Sequence, residues 1–199
     1  MKTSLIQDLT SALHNDHIQD LSKILEAYAC VVILLRGPRE NLEIGYIQRA
    51  HHPNDRWSGQ IAFPGGKRED IDESDLHTAL RETREEIGVD LDVSCYVGRL
   101  DDIQGRKGGQ ILDFFIRPFV FYLEKDVELN LAPEEVADFF WFPLRELKNP
   151  SRQTTHPIQR ENIQLQLPAI DVNHDLPLWG LTYFMTQNLL THLADYVSE

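Results

Sequence analysis

Residues 63–89 read F-P-G-G-K-R-E-D-I-D-E-S-D-L-H-T-A-L-R-E-T-R-E-E-I-G-V, and they leave the chain little choice of local structure. Pro64 fixes its own φ, while Gly65 and Gly66 admit backbone angles closed to other residues, so F-P-G-G reads as a tight turn. An acidic segment follows in which Asp70, Asp72 or Ser74 can each cap a helix. Leu76, Ala79, Leu80, Thr83 and Ile87 then recur at helical spacing as one apolar stripe. Gly88 stands where a helix stops. The stretch is a turn, a loop and a short amphipathic helix.

Glu82, Glu85 and Glu86 are separated by steps of three and four, which puts them on one side of that helix. At about 100° per residue they fall beside the apolar stripe. Like charges so spaced destabilise a helix by a few tenths of a kcal/mol. A divalent cation reverses that sign, and Mg²⁺ favours an octahedral oxygen shell that keeps several waters. A bare E-x-x-E-E is more often a solvated acidic face. Here Arg81 precedes the cluster, Glu73 lies eight positions before Arg81, and a double glycine opens the loop.

The segment resembles the signature of the Nudix hydrolases, G-x5-E-x7-R-E-U-x-E-E-x-G-U, with U a bulky apolar residue. Glu73, Arg81, Glu82, Glu85, Glu86 and Gly88 stand at the family's relative spacings, and Val89 fills the last apolar position. Two departures accompany them. One extra residue separates Gly66 from Glu73, and Thr83 occupies a position that is usually aliphatic. The resemblance implies Mg²⁺ or Mn²⁺ held by Glu82, Glu85 and Glu86 with the carbonyl of Gly65. It also implies that Arg81 orients a carboxylate bidentately, with Glu73 as the candidate partner. The base that activates water is either Glu86 or Glu135.

The chain of 199 residues fits one domain, residues 1–199, with the loop-helix at 65–89 and a helical extension over about residues 1–28. A net charge of −13 argues against a general nucleic-acid binder. An anionic substrate then needs a metal and a local basic patch. No apolar run approaches a membrane span, and neither a signal-peptide core nor a C-terminal address is evident, so the expectation is a cytoplasmic protein. Cys30 and Cys95 read as small buried hydrophobes. The histidines show no zinc-ligand spacing.

In chain order, residues 4–28 suggest two amphipathic helices. Strands are expected at Ala29–Leu35, Leu42–Arg49 and Val93–Leu100. A β-prone run at Ile111–Leu123 contains Pro118, which should mark an edge, bend or bulge. Pro133 suggests a helix start, and a strand is expected at Asp138–Phe142. Residues 148–168 look loop-like around a strand at Ile163–Leu167, and Leu178–Tyr196 reads as a closing helix. These elements give an α/β sandwich around a mixed sheet. The resemblance selects the Nudix α/β/α sandwich among such folds.

Further stretches resemble the coenzyme A diphosphatase branch of that family. They are Arg49-Ala50, the G-Q-I-A-F-P-G-G run from Gly59 to Gly66, the E-V-x-x-x-F-x-x-P-L pattern from Glu135 to Leu144, and Trp179-Gly180-Leu181-Thr182. In the linker D-R-W-S-G, Arg56 stands three residues before Gly59, where the branch usually shows four. The resemblance implies hydrolysis of coenzyme A or acyl-coenzyme A to 3′,5′-ADP and 4′-phosphopantetheine or its acyl derivative. Arg49, Arg56, Lys67, Arg106 and Lys107 are candidate cations for the substrate, with Arg49 and Arg56 preferred for a terminal phosphate. Trp57 offers either an adenine-stacking face or a plug for the core. Other readings are a Nudix hydrolase of ADP-ribose, a dinucleoside polyphosphate or NADH, and a nucleotide-binding regulator without activity. The expected partner is a small nucleoside diphosphate derivative rather than nucleic acid or membrane. Oligomeric state is open, a homodimer included.

Overall fold

The computed structural model describes residues 4–26, 28–53, 57–107, 110–160 and 163–197. The main sheet is organised on β1 (Tyr28–Arg36), whose sequence Y-A-C-V-V-I-L-L-R is apolar on both faces. Such a strand is stable only when covered on both sides. Cys30, Val32 and Leu34 pack with Ala79 and Ile87 on one face. Val31, Ile33 and Leu35 pack with Leu9, Leu13, Met185 and Leu189 on the other. Two cores therefore flank one sheet, and the α/β/α sandwich implied by the resemblance is the fold observed.

After β1 come β2 (Glu43–Arg49), β3 (Ile61–Ala62), β4 (Gly65–Lys67), β5 (Tyr96–Arg99), β6 (Ile103–Lys107), β7 (Gln110–Leu123) and β8 (Val136–Pro143). The spatial order is β3-β2-β1-β7-β5, with β4 paired to β1, β6 to β7 and β8 to β2. β1 and β7 are parallel, from Tyr28↔Phe115 to Arg36↔Leu123, and the other pairs are antiparallel. The helices are α1 (Leu5–Leu13), α2 (Asp75–Ile87), α3 (Gly180–His192) and α4 (Ala194–Val197). α2 covers the first face, and α1 and α3 the second. A second sheet contains β9 (Gln153–Arg160), β10 (Ile163–Ile170) and β11 (Leu178–Trp179). No helix among the described residues is long and apolar enough to cross a membrane.

Several expectations change. The second N-terminal helix does not form: the N–H of Leu21 is bound by Asp102 at 2.8 Å. The Asp20 carboxylate accepts from the N–H of Ser22 at 3.0 Å, a local bond that competes with helix formation. Pro133 starts a turn, and its end, Val136, begins β8. The loop expected over 148–168 is largely the β9–β10 hairpin, in register from Gln153↔Ile170 to Arg160↔Ile163. Pro118 lies inside β7, where the partner changes from β6 at Ile116 to β5 at Phe119. A residue without an N–H falls at that junction, while its carbonyl accepts from Leu100 at 3.1 Å.

Candidate active site

Two glycines set the site's floor for different reasons. Gly65 has φ +147°, and a Cβ there would lie 2.2 Å from the carbonyl oxygen of Cys30 on β1. Only glycine permits that approach and that angle. At Gly66 a Cβ would lie 2.4 Å from Cδ of Glu82, so the missing side chain makes room for a carboxylate. The turn is fixed to the sheet by the N–H of Val32, which donates to the Pro64 carbonyl at 2.8 Å.

α2 crosses beneath this turn. Ser74 is the N-cap, its hydroxyl accepting from the N–H of His77 at 3.2 Å, and Gly88 closes the helix at φ +73°. Ala79, Thr83 and Ile87 are buried, whereas Leu76 and Leu80 are only partly so. Thr83 replaces an aliphatic residue without leaving a buried donor unpaired, since its hydroxyl donates to the Ala79 carbonyl at 2.7 Å.

The acidic residues occupy three environments. Glu85 is 55% exposed and Glu82 is partly buried. Glu86 is 2% exposed and accepts from the N–H of Gly65 at 2.8 Å. The three carboxylates are therefore not equivalent, and Glu86 lies under the glycine turn. Burial pushes the Glu86 carboxyl up to about 8, the Gly65 N–H and the Arg49 charge oppose this, and the Glu82 and Glu135 charges reinforce it. Burial also raises Glu82, against the pull of Arg81.

Arg81 organises the exposed side of the cluster. Its Nη2 lies 3.0 Å from Glu82 and its Nη1 donates to Glu85 at 2.8 Å. Its Nη2 also donates to the Lys67 carbonyl at 3.2 Å. The remaining carboxylate partner is Asp72 rather than Glu73. Arg81 donates to Asp72 through Nε at 2.9 Å and Nη2 at 3.0 Å. Asp72 also accepts from Thr78 Oγ1 at 3.0 Å and the N–H of Glu69 at 2.9 Å. These donors, Arg81 first, hold the Asp72 carboxyl far below the usual range. Glu73 is exposed, with its backbone N–H directed to His77 Nδ1 at 3.3 Å. The inserted loop residue moves the buried carboxylate one place earlier, and the signal was present: Asp72 follows Gly66 at the spacing of G-x5-E.

Arg49 and Glu135 also come to this end of α2, since both charges bear on Glu86. Their segments are tied by the N–H of Ala50, which donates to the Glu135 carbonyl at 2.8 Å. Lys67 is exposed at the end of β4, and Arg106 is exposed on β6. Trp57 is half-buried with its ring 6.2 Å from that of Phe114 on β7. Arg56 and the side chain of Lys107 lie outside the described residues.

Among the described residues no three His, Cys, Asp or Glu side chains are assembled into a metal-gripping group. Arg81 holds Glu82 and Glu85, and Glu86 faces the Gly65 N–H. The donor chemistry nevertheless fits a hard divalent cation. All three groups are carboxylates, and buried negative charge at Glu86 is unfavourable until something positive compensates it. A separate cavity of about 460 Å³ lies at the other end of α2, lined by Asp20, Arg68, Asp75, Arg99 and Arg117 among others. Its charges are already paired, Arg117 with Asp20, Asp75 and Asp102.

The NUDIX domain family matches residues 26–166. An uncharacterized protein of Schizosaccharomyces pombe is 42% identical over 111 residues, which cover 54% of this chain and 34% of that protein. The chain thus matches about a third of that relative's length. The uncharacterized Nudix hydrolase NudL of Yersinia pestis is 32% identical over 151 residues, 76% of this chain and 70% of NudL. A MutT/nudix family protein from Enterococcus faecalis superposes with a TM-score of 0.54 at 17% identity, over 98% of this chain and 71% of that one. The Nudix hydrolase RenU of M. smegmatis gives a TM-score of 0.51 at 15% identity, covering 87% and 88% respectively. Both structures support the same fold.

Proposed function

The chain belongs to the Nudix family, and from that premise we propose that it is a metal-dependent diphosphate hydrolase acting on coenzyme A or an acyl-coenzyme A. The observation that carries the hydrolase reading is Glu86 buried under the glycine turn, with Glu82 against Gly66 beside it, at a cost that a cation would offset. A regulator that only bound nucleotide would have no need of this costly cluster.

Glu82, Glu85 and Glu86, with the Gly65 carbonyl, would hold Mg²⁺ or Mn²⁺. Such an ion neutralises charge on the bridging phosphates and acidifies a water nucleophile. Arg81 is anchored on Asp72 independently of its bonds to Glu82 and Glu85, so those carboxylates can leave it without releasing the guanidinium. Of the two candidate bases, Glu135 is exposed, whereas Glu86 is committed to the Gly65 N–H. We assign proton abstraction from water to Glu135 on that ground. Arg49, beside Glu86, would neutralise substrate phosphate, joined by Arg56 and Lys67.

The substrate reading rests on the resemblance of Arg49-Ala50, G-Q-I-A-F-P-G-G and W-G-L-T to the coenzyme A diphosphatase branch. A panel of coenzyme A, acyl-coenzyme A, ADP-ribose, NADH and dinucleoside polyphosphates, incubated with Mg²⁺ or Mn²⁺ and resolved by mass, tests it. Release of 3′,5′-ADP from coenzyme A at the highest rate supports it. Faster turnover of another diphosphate transfers the assignment to that substrate, and inactivity on all of them refutes hydrolysis.

A further inference from the structure

The short strand β3 is an edge of the main sheet. Its inner side pairs with β2 through Gln48↔Ile61 and Ile47↔Ala62. Its other side receives a side chain from α3: Thr182 Oγ1 donates to the Ile61 carbonyl at 3.1 Å in a buried bond. One turn later on the same face, the fully buried Thr186 shares a 3.0 Å hydrogen bond with the Tyr46 hydroxyl. The Tyr46 ring stacks on Phe63, with centroids 5.0 Å apart. Phe63 is the first residue of F-P-G-G.

These two hydroxyls therefore bear on the same six residues. At one end of the segment the Gln60 carbonyl accepts from the N–H of Arg49 at 3.0 Å. At the other, Gly65 donates its N–H to Glu86. Thr182 acts between them, and Thr186 acts through Tyr46 on Phe63. Generic helix packing does not explain this use of threonine. Thr10, Thr83 and Thr191 return their hydroxyls to the carbonyl four residues earlier in their own helices. Thr182 and Thr186 instead bond across to strands.

We propose that Thr182 and Thr186 are positioning residues that hold the glycine turn in register over Glu86, so that the W-G-L-T stretch serves the site through the turn. The consequence for turnover rests on the hydrolase reading above; the mechanical coupling does not. A displaced turn shifts both the Gly65 N–H and Arg49 relative to Glu86, and small misplacements of positioning groups are costly to catalysis.

The test compares Thr182→Val and Thr186→Val with the matching serine variants, using amide hydrogen exchange and diphosphate turnover. The valine variants should accelerate exchange at Gly65 about tenfold or more, leaving amides of the β1–β7 ladder as in the wild type. They should lower kcat about tenfold to a hundredfold, with KM changed far less, and serine should restore both readouts. Equal acceleration across β1, β7 and the turn, or unchanged Gly65 exchange, overturns the proposal. If the valine variants do not fold, Tyr46→Phe removes the hydroxyl held by Thr186 and is judged by the same exchange pattern. A wild type inactive on every diphosphate would refute the hydrolase reading alone, because Gly65 exchange still decides whether the threonines hold the turn.

Discussion

Arg81 grips both carboxylate oxygens of Asp72, at 2.9 and 3.0 Å, with Asp72 wholly buried and Arg81 only 11% exposed. This pair ties the loop after the glycine turn to the acidic side of α2. Removing one member of a buried ion pair strands the other, at a cost of about 3–5 kcal/mol. Asp72→Asn should destabilise the protein on that scale. Glu73→Gln, on the surface, should stay within about 0.5 kcal/mol of wild type. Urea unfolding of the two variants checks the ranking, and the opposite order would return Glu73 to the role implied by the family signature.

Glu86 makes the metal-free protein sensitive to alkali. Its carboxyl is raised from 4.5 to about 8, mainly by burial. Between those values the folded chain retains a proton that the unfolded chain has released, so stability should fall as pH rises across that interval. At about 1.4 kcal/mol per unit, the loss by pH 8 is on the order of a few kcal/mol. Glu86→Gln should flatten the slope and be the more stable protein at pH 8, while costing at least about a hundredfold in kcat, or about 2.7 kcal/mol of barrier. Glu85→Gln should incur a similar catalytic loss. Urea midpoints against pH in chelator, paired with turnover in saturating Mg²⁺, read both effects. A wild-type slope in Glu86→Gln would contradict the burial argument.

The two glycines should fail in different ways. A methyl at Gly65 meets the backbone carbonyl of Cys30 and must also adopt φ +147°, so Gly65→Ala should unfold the turn or the protein. At Gly66 the methyl meets the Glu82 carboxylate, which can swing away. Gly66→Ala should therefore fold, with a thermal midpoint near wild type, and lose most of its activity. A stable, active Gly65→Ala would remove the reason given for glycine there.

How much of this could be read beforehand depended on how local the cause was. β1 declared itself because the seven apolar residues Ala29–Leu35 have few homes outside a covered sheet. α2 declared itself through its stripe and Gly88. The missing second helix was hidden because one of its competitors is distant: Asp102 takes the N–H of Leu21 from 81 residues away. The β9–β10 hairpin was obscured by Pro157 and Pro168, tolerated in a sheet of only three strands among the described residues. Spacing from Arg81 indicated Glu73, while spacing from Gly66 indicated Asp72. Burial decided between them.

Selectivity for coenzyme A over dephospho-coenzyme A would have to come from the 3′-phosphate, the one group in which they differ. A charge-assisted contact to that group contributes about 1.5–3 kcal/mol, so dephospho-coenzyme A should be poorer by about tenfold to a hundredfold in kcat/KM. Arg49 and Arg56 are the candidate donors. Arg49 already bears on the Glu86 charge, so Arg49→Ala should depress turnover of every diphosphate. The informative quantity is therefore the ratio of kcat/KM for the two substrates, in which a common loss cancels. The responsible Arg→Ala variant should bring that ratio to about one. If both variants preserve the wild-type preference, neither arginine reads the 3′-phosphate. If the wild type shows no preference, the 3′-phosphate is not read, while the Nudix hydrolase reading stands.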